Sequence, residues 1–284
     1  MIIPCRRLLT RSIFVAATGL AAVGIACHGG QPTSSSAVTP AGDATLKTYP
    51  NINSMAARKV LTNRFGSVKN VSASGSMVLT RPDGQSIQLD MALAMEMPEH
   101  LRLRAWKAGQ AVFDFTLIPD GLFVETPSDP AARDQILPAT VSTGHLAQEL
   151  LWFSGGYFTQ LGLVQQPDVA SAVDQSDLMV FSRQLSDGGT VSCAVDRATL
   201  TPRQYWQTDN QGNLRFTLDM NGYQVFDGIP WPTHIIAVSA ADQPSDNGAP
   251  VTGSKIEIQL NQVQINEGLP DKAFVPPAGA ERRS

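Results

Sequence analysis

The chain has 284 residues, 43% of them hydrophobic, which suffices for one sizeable core or two small ones. Charged residues make up only 16%, and 25 acids outnumber 21 bases. An acidic chain without an evident basic patch argues against nucleic acid as a partner, and against electrostatic binding to anionic lipid headgroups.

The N-terminus reads as an export signal, residues 1–26. Arg6, Arg7 and Arg11 precede an apolar run from Ser12 to Ala26, and no acid occurs there. That run is shorter than the roughly 20 residues a membrane-spanning helix needs. It ends at Gly24-Ile25-Ala26-Cys27, which resembles a bacterial lipobox, although Gly24 stands where Leu is usual. The resemblance implies that Cys27 is acylated, palmitate being one such chain, and becomes the mature N-terminus. A plain secretory signal cut at a small-x-small site is the competing reading. Removing the three arginines from the 21 bases leaves 18 against 25 acids. Residues 27–45 are rich in Gly, Pro, Ser and Thr and read as the lipidated end of a flexible tether.

A helix is predicted over Ser54–Phe65, from the spacing of Met55, Val60, Leu61 and Phe65, with Ser54 as its cap. Strand periodicity then takes over. Ile87, Leu89, Met91, Leu93, Met95 and Met97 alternate with Gln88, Asp90 and Glu96, with Ala92 and Ala94 between. Leu101 and Leu103 alternate with Arg102 and Arg104, and Phe113, Phe115 and Leu117 with Asp114 and Thr116. Leu214, Phe216, Leu218 and Met220 alternate with Arg215, Thr217 and Asp219. Ile256, Ile258 and Leu260 repeat the pattern, but Val263 and Ile265 change its parity, which predicts a bulge near Asn261-Gln262. Such alternation predicts an antiparallel sheet with one apolar and one wet face. Turn signals at Pro82-Asp83-Gly84, Pro119-Asp120-Gly121, Asp187-Gly188-Gly189 and Asp209-Asn210-Gln211-Gly212 separate the runs.

Gly144–Phe158 returns to helical spacing through Leu146, Leu150, Leu151 and Phe153, and Asp168–Val173 adds a short helical turn. These helices are expected to lid the concave face of a strongly curved sheet, giving a mainly β (α+β) half-barrel. Residues 276–284 read as a loose tail. Cys193 shares a strand face with Val191 and Val195, so it reads as a small buried hydrophobe; with Cys5 in the signal and Cys27 lipidated, it has no intramolecular disulfide partner.

Catalytic patterns do not emerge. His28, His100, His145 and His234 are scattered without metal-ligand spacing, and there is no phosphate-cradling glycine loop. Ser154 is preceded by Phe153 and Trp152, which does not fit a nucleophile elbow. Asp242–Gly248 lacks calcium-loop spacing. The expectation is a protein that is not an enzyme and has no cofactor or metal. The positive feature is a methionine-bearing apolar face, with Met77, Met91, Met95, Met97, Met179 and Met220 on or near strands. Its candidate ligand-lining residues are Leu89, Met91, Leu93, Met95, Phe113, Phe115, Phe216 and Leu218, with Leu150 and Phe153 from the lid. Ordinary core is the competing reading of the same residues.

The order of elements resembles the LolA/LolB-like superfamily of lipoprotein carriers and their relatives over residues 46–275. The N-terminal helix fits, as does Met95-Glu96-Met97-Pro98-Glu99-His100-Leu101-Arg102-Leu103-Arg104, which resembles the family's Pro-x-x-hydrophobic-Arg strand start. Val112–Val124, with Asp120-Gly121 in its second half, resembles its strand, Asp-Gly, strand unit. Pro230–Ile236 and Leu260–Asn266 followed by Phe274 resemble its last two strands. The resemblance implies a half-barrel around a hydrophobic cavity that binds acyl chains of a lipid or acylated protein. It also implies a monomer in the bacterial envelope, facing the periplasm, with Cys27 favouring an anchored form at the outer membrane. The alternative is a protein-interaction or stress-sensing domain with a closed core. Arg102 and Arg104 are the polar positions that match the family.

Overall fold

A computed structural model describes residues 45–81, 84–97, 99–126, 173–175, 177–239 and 254–283. One helix, α1 (Ser54–Gly66), precedes the strands. Its cap is Asn53 rather than Ser54: the Asn53 side-chain oxygen accepts from the Ala56 backbone N–H at 2.9 Å. Asn53 holds the extended backbone a cap requires, so the helix starts one residue earlier than Ser54 as cap would place it. Ala57, Leu61 and Phe65 form its buried stripe, whereas Met55 lies outside it.

Five strands follow as one meander: β1 (Asn70–Thr80), β2 (Ser86–Glu96), β3 (His100–Lys107), β4 (Gln110–Ile118) and β5 (Gly121–Glu125). A second meander holds β6 (Val173–Gln175), β7 (Leu178–Gln184), β8 (Thr190–Asp196), β9 (Pro202–Thr208), β10 (Leu214–Phe226), β11 (Ile229–Ser239) and β12 (Lys255–Ile265). A final short strand, β13 (Glu281–Arg283), closes the chain. All thirteen share one antiparallel, unclosed and curved sheet, in the order β13-β5-β4-β3-β2-β1-β12-β11-β10-β9-β8-β7-β6.

Two tight turns place non-glycine residues at positive φ. Ala108-Gly109 joins β3 to β4 and Asp227-Gly228 joins β10 to β11, each with both residues in the left-handed region. That geometry matches the twist of an antiparallel hairpin.

The seam between the meanders is the pairing of β1 with β12. Ser74 faces Gln262 but Gly75 faces Leu260, so Asn261 is the extra residue of a bulge. The bulge falls where the parity of β12 changes. A Cβ at Gly75 would stand 2.0 Å from the Gln259 carbonyl oxygen, so only glycine fits there.

Residues 276–284 are not a loose tail throughout. Glu281, Arg282 and Arg283 pair with Val124, Phe123 and Leu122, and the Arg282 guanidinium donates to the Asp120 carbonyl. The wet face expected on β4 is also corrected. Asp114 and Thr116 are buried as deeply as Phe113 and Phe115, because a segment after β12 runs across that side. The lid residues 144–158, and residues 168–172 of the short turn predicted after them, lie outside the described residues; Val173 itself starts a strand.

Candidate functional site

The face that carries α1 is continuous and apolar. Cross-strand register brings Met91, Ala105 and Phe113 into one row across β2, β3 and β4. Leu93, Leu103 and Phe115 form the next row, and Met95, Leu101 and Leu117 the third. Phe113 and Phe115 stack at 4.5 Å between ring centroids. On the other meander, Leu218 sits between Tyr205 of β9 and Ala237 of β11. Of the ten residues predicted to line a ligand site, Leu89, Met91, Leu93, Met95, Phe113, Phe115, Phe216 and Leu218 fall in this single cluster. Leu150 and Phe153 lie outside the described residues. All eight are buried, Met91 completely.

Helix α1 completes the face and is fastened at its C-terminal half. The Arg64 guanidinium donates to the Leu200 carbonyl at 2.6 Å and to the Tyr49 hydroxyl at 3.4 Å. The Tyr49 N–H donates to the Ala198 carbonyl at 2.7 Å. Arg58 lies 5.9 Å from the Phe181 ring centroid. These contacts join the helix and the segment before it to β7 and to the turn between β8 and β9.

The reverse face of β3 and β4 holds a charged cluster. Arg102 Nε and Nη2 donate to the two carboxylate oxygens of Asp114 at 2.9 and 2.8 Å. Arg104 Nε reaches the same carboxylate at 2.8 Å. Arg102 Nη1 donates to the Ala273 carbonyl at 3.1 Å, so one guanidinium bridges the carboxylate and the segment that covers it. His100 packs on Phe274 at 5.2 Å between centroids. Asn266 fixes the start of that segment, its side chain accepting from the Lys69 N–H and donating to the Ser67 carbonyl. A recess of about 360 Å³ opens beside this strap, between His100, Ile118, Asp120, Asp271 and Phe274. It differs in kind from the apolar cluster, being partly polar and open.

The two arginines named from the sequence therefore have a shared partner, Asp114, which sequence reasoning missed. The usable signal was parity: Arg102, Arg104 and Asp114 occupy the same face of two strands joined by a two-residue turn. Cys193 is a buried hydrophobe, and burial pushes its thiol pKa far above the usual range. Among the described residues there is no cluster of three or more His, Cys, Asp or Glu able to hold a metal ion.

No family model and no curated protein matches the chain. Solved structures do. A DUF1329 family protein from Desulfovibrio piger superposes with a TM-score of 0.50 at 13% identity, over 77% of this chain and 95% of that one. A LolA superfamily protein from Nitrosomonas europaea superposes with a TM-score of 0.51 at 15% identity, over 77% of this chain and 96% of that one. The chain has a LolA-like fold.

Proposed function

We propose that this chain is a lipoprotein of the bacterial envelope, lipid-anchored at Cys27, whose sheet binds acyl chains of a lipid or an acylated protein. It acts in their transport as a binding protein rather than as an enzyme. The observation that carries the reading is the convergence of Leu89, Met91, Leu93, Met95, Phe113, Phe115, Phe216 and Leu218 on one apolar face. The LolA-like fold supports it. Methionine and leucine walls adapt to flexible chains, and each CH₂ moved out of water gains about 0.8 kcal/mol. In this reading, α1 and residues 144–158 lid the concave side, the latter opening at Gly155-Gly156.

The test is organic extraction and mass spectrometry of the unit Pro40–Ser284, cleaved from the full chain after purification from a bacterial envelope. That unit is compact and contains every described element. Co-purified lipid at a fixed ratio is the expected result. The anchor is tested separately: Cys27→Ala should move the protein from the membrane to the soluble envelope fraction after a high-salt wash.

A second reading is favoured by burial. Met91, Val71 and Leu101 expose nothing to solvent, as residues of a closed core would. An empty extract, with no uptake of a fatty-acid probe, would favour an anchored interaction or sensing domain instead.

A further inference from the structure

The apolar face of the second meander is interrupted by polar side chains at the end of β7 and the start of β8. Arg183 of β7 pairs with Val191 of β8, Val191 with Gln207 of β9, and Gln207 with Phe216 of β10. The adjoining row is Phe181, Cys193, Tyr205 and Leu218. Side chains two apart on a strand share a face, so Arg183 and Gln207 stand on the side that holds Val191, Phe216, Phe181 and Tyr205 of the core.

Gln207 is only 9% exposed, yet its Oε1 accepts no hydrogen bond among the described residues. A buried acceptor without a donor is costly and rare in a folded protein. Arg183 is half-buried, and its Nε is likewise without an acceptor among the described residues. The two rows contain no Asp or Glu. Burial raises the Tyr205 hydroxyl pKa and the Cys193 thiol adds to the rise, while the Arg183 charge opposes it, which sets that charge near the hydroxyl. An arginine stem lying over apolar surface would account for Arg183 alone, but not for the Gln207 oxygen beside it. The two residues are two strands apart, about 10 Å between backbones, a gap that one polar headgroup spans.

We propose that Arg183 and Gln207 form a headgroup subsite at this end of the apolar face. Its ligand is an acyl chain whose head carries an anionic oxygen, which meets the guanidinium, and a hydroxyl or N–H, which donates to Gln207 Oε1. The net negative charge of the chain disfavours anionic surfaces, but a single headgroup at this subsite meets the local charge of Arg183. The inference rests on acyl chains occupying this face, as proposed above.

The experiment is calorimetric titration of Pro40–Ser284, cleaved from the purified full chain and stripped of lipid. Three probes share one chain: methyl laurate has no charge, laurate adds the anion, and lauroyl lysophosphatidylglycerol adds a phosphate with hydroxyl donors. Laurate should bind about ten-fold more tightly than the ester, and the lysophospholipid about five-fold more tightly again. Arg183→Met should abolish the preference for laurate and leave the ester within about two-fold, which also reports an intact fold. Arg183→Lys, which keeps the charge, should retain a preference. Gln207→Leu should weaken the lysophospholipid about five-fold and leave laurate within about two-fold. Equal affinity of the parent for laurate and its ester, or a preference that survives Arg183→Met, would overturn the subsite and leave acyl binding standing. Laurate binding more tightly than the lysophospholipid, or no effect of Gln207→Leu, would overturn the donor contact. Binding of none of the three probes would overturn the subsite together with the acyl-chain reading.

Discussion

The Arg102 guanidinium grips the Asp114 carboxylate with two nitrogens and the Ala273 carbonyl with a third. Asp114 is 1% exposed and Arg102 16%, so neither charge is free to find water if the other is removed. Asp114→Ala is expected to cost about 3–5 kcal/mol, because it strands a largely buried guanidinium and loosens the strap as well. Arg104 is 54% exposed, so Arg104→Ala should cost under about 1 kcal/mol. Urea unfolding of the two variants would test the ranking, and equal losses would show that the buried Arg102–Asp114 pair is worth no more than the exposed Arg104 contact.

At Gly75 the constraint is steric. A methyl group there would overlap the Gln259 carbonyl oxygen, which belongs to backbone and cannot rotate away. Gly75→Ala should destabilise by about 3 kcal/mol or prevent β1 from pairing with β12. Gly66→Ala serves as the comparison, since nothing lies near its added carbon. A Gly75→Ala domain as stable as the parent would mean that the bulge slips at little cost.

Alkaline pH should weaken the domain through buried groups, Cys193 and Tyr205 among them. Burial raises the pKa of Cys193 and of Tyr205 well above their ordinary values. In the unfolded chain they ionise at about 8.5 and about 10, while in the folded domain both keep their protons. Their stabilising contribution is therefore complete below those values and is lost as pH rises beyond them. The loss approaches about 1.4 kcal/mol per pH unit for each group. Denaturation midpoints measured from neutral pH upward should fall, first through Cys193, and Cys193→Ala should remove that first part. A midpoint that stays level through about pH 11 would contradict the assignment.

Met91 and Leu93 allow the two readings of the apolar face to be separated. Met91→Phe and Leu93→Trp add bulk without charge. If the face accommodates an acyl chain, the fillers should reduce fatty-acid probe uptake strongly while circular dichroism and the denaturation midpoint change little. In a closed core the same fillers would overpack and cost about 1–3 kcal/mol, and the parent domain would take up no probe.

Sequence reading works best where one face is dry and the other wet. The alternation of Leu89, Met91, Leu93 and Met95 is matched residue for residue by burial in β2, and Phe216, Leu218 and Met220 do the same in β10. The Asn261 bulge was visible because side-chain parity must change when one residue is left unpaired. Strand β8 shows the opposite situation. Val191 to Val195 are all buried, Ser192 and Ala194 included, so alternation in chemistry does not report the burial of both faces. Asp114 was read as solvent-facing for the same reason: its cover comes from the segment at Ala273, far later in the chain. The strand Glu281–Arg283 pairs through backbone groups, and its charged residues carry no periodic signal. Of the candidate lining residues, parity located the eight on strands, and no local pattern indicates whether the space before them is filled.

The pairing of β1 with β12 also governs how the chain can fold. Val71 finds its partner in Ile265, and Leu122 finds one in Arg283, both far along the chain. Each meander can form from neighbours in sequence, but the seam joining them must wait until β12 has been made. Until then β1 presents an unpaired edge with Met77 and Val71 on its apolar side, a surface open to wrong strand partners. Closing so distant a contact is entropically slow, so the seam, rather than either meander, should set the folding rate. A chaperone that shields β1 during synthesis would therefore act on the slowest step of the whole assembly.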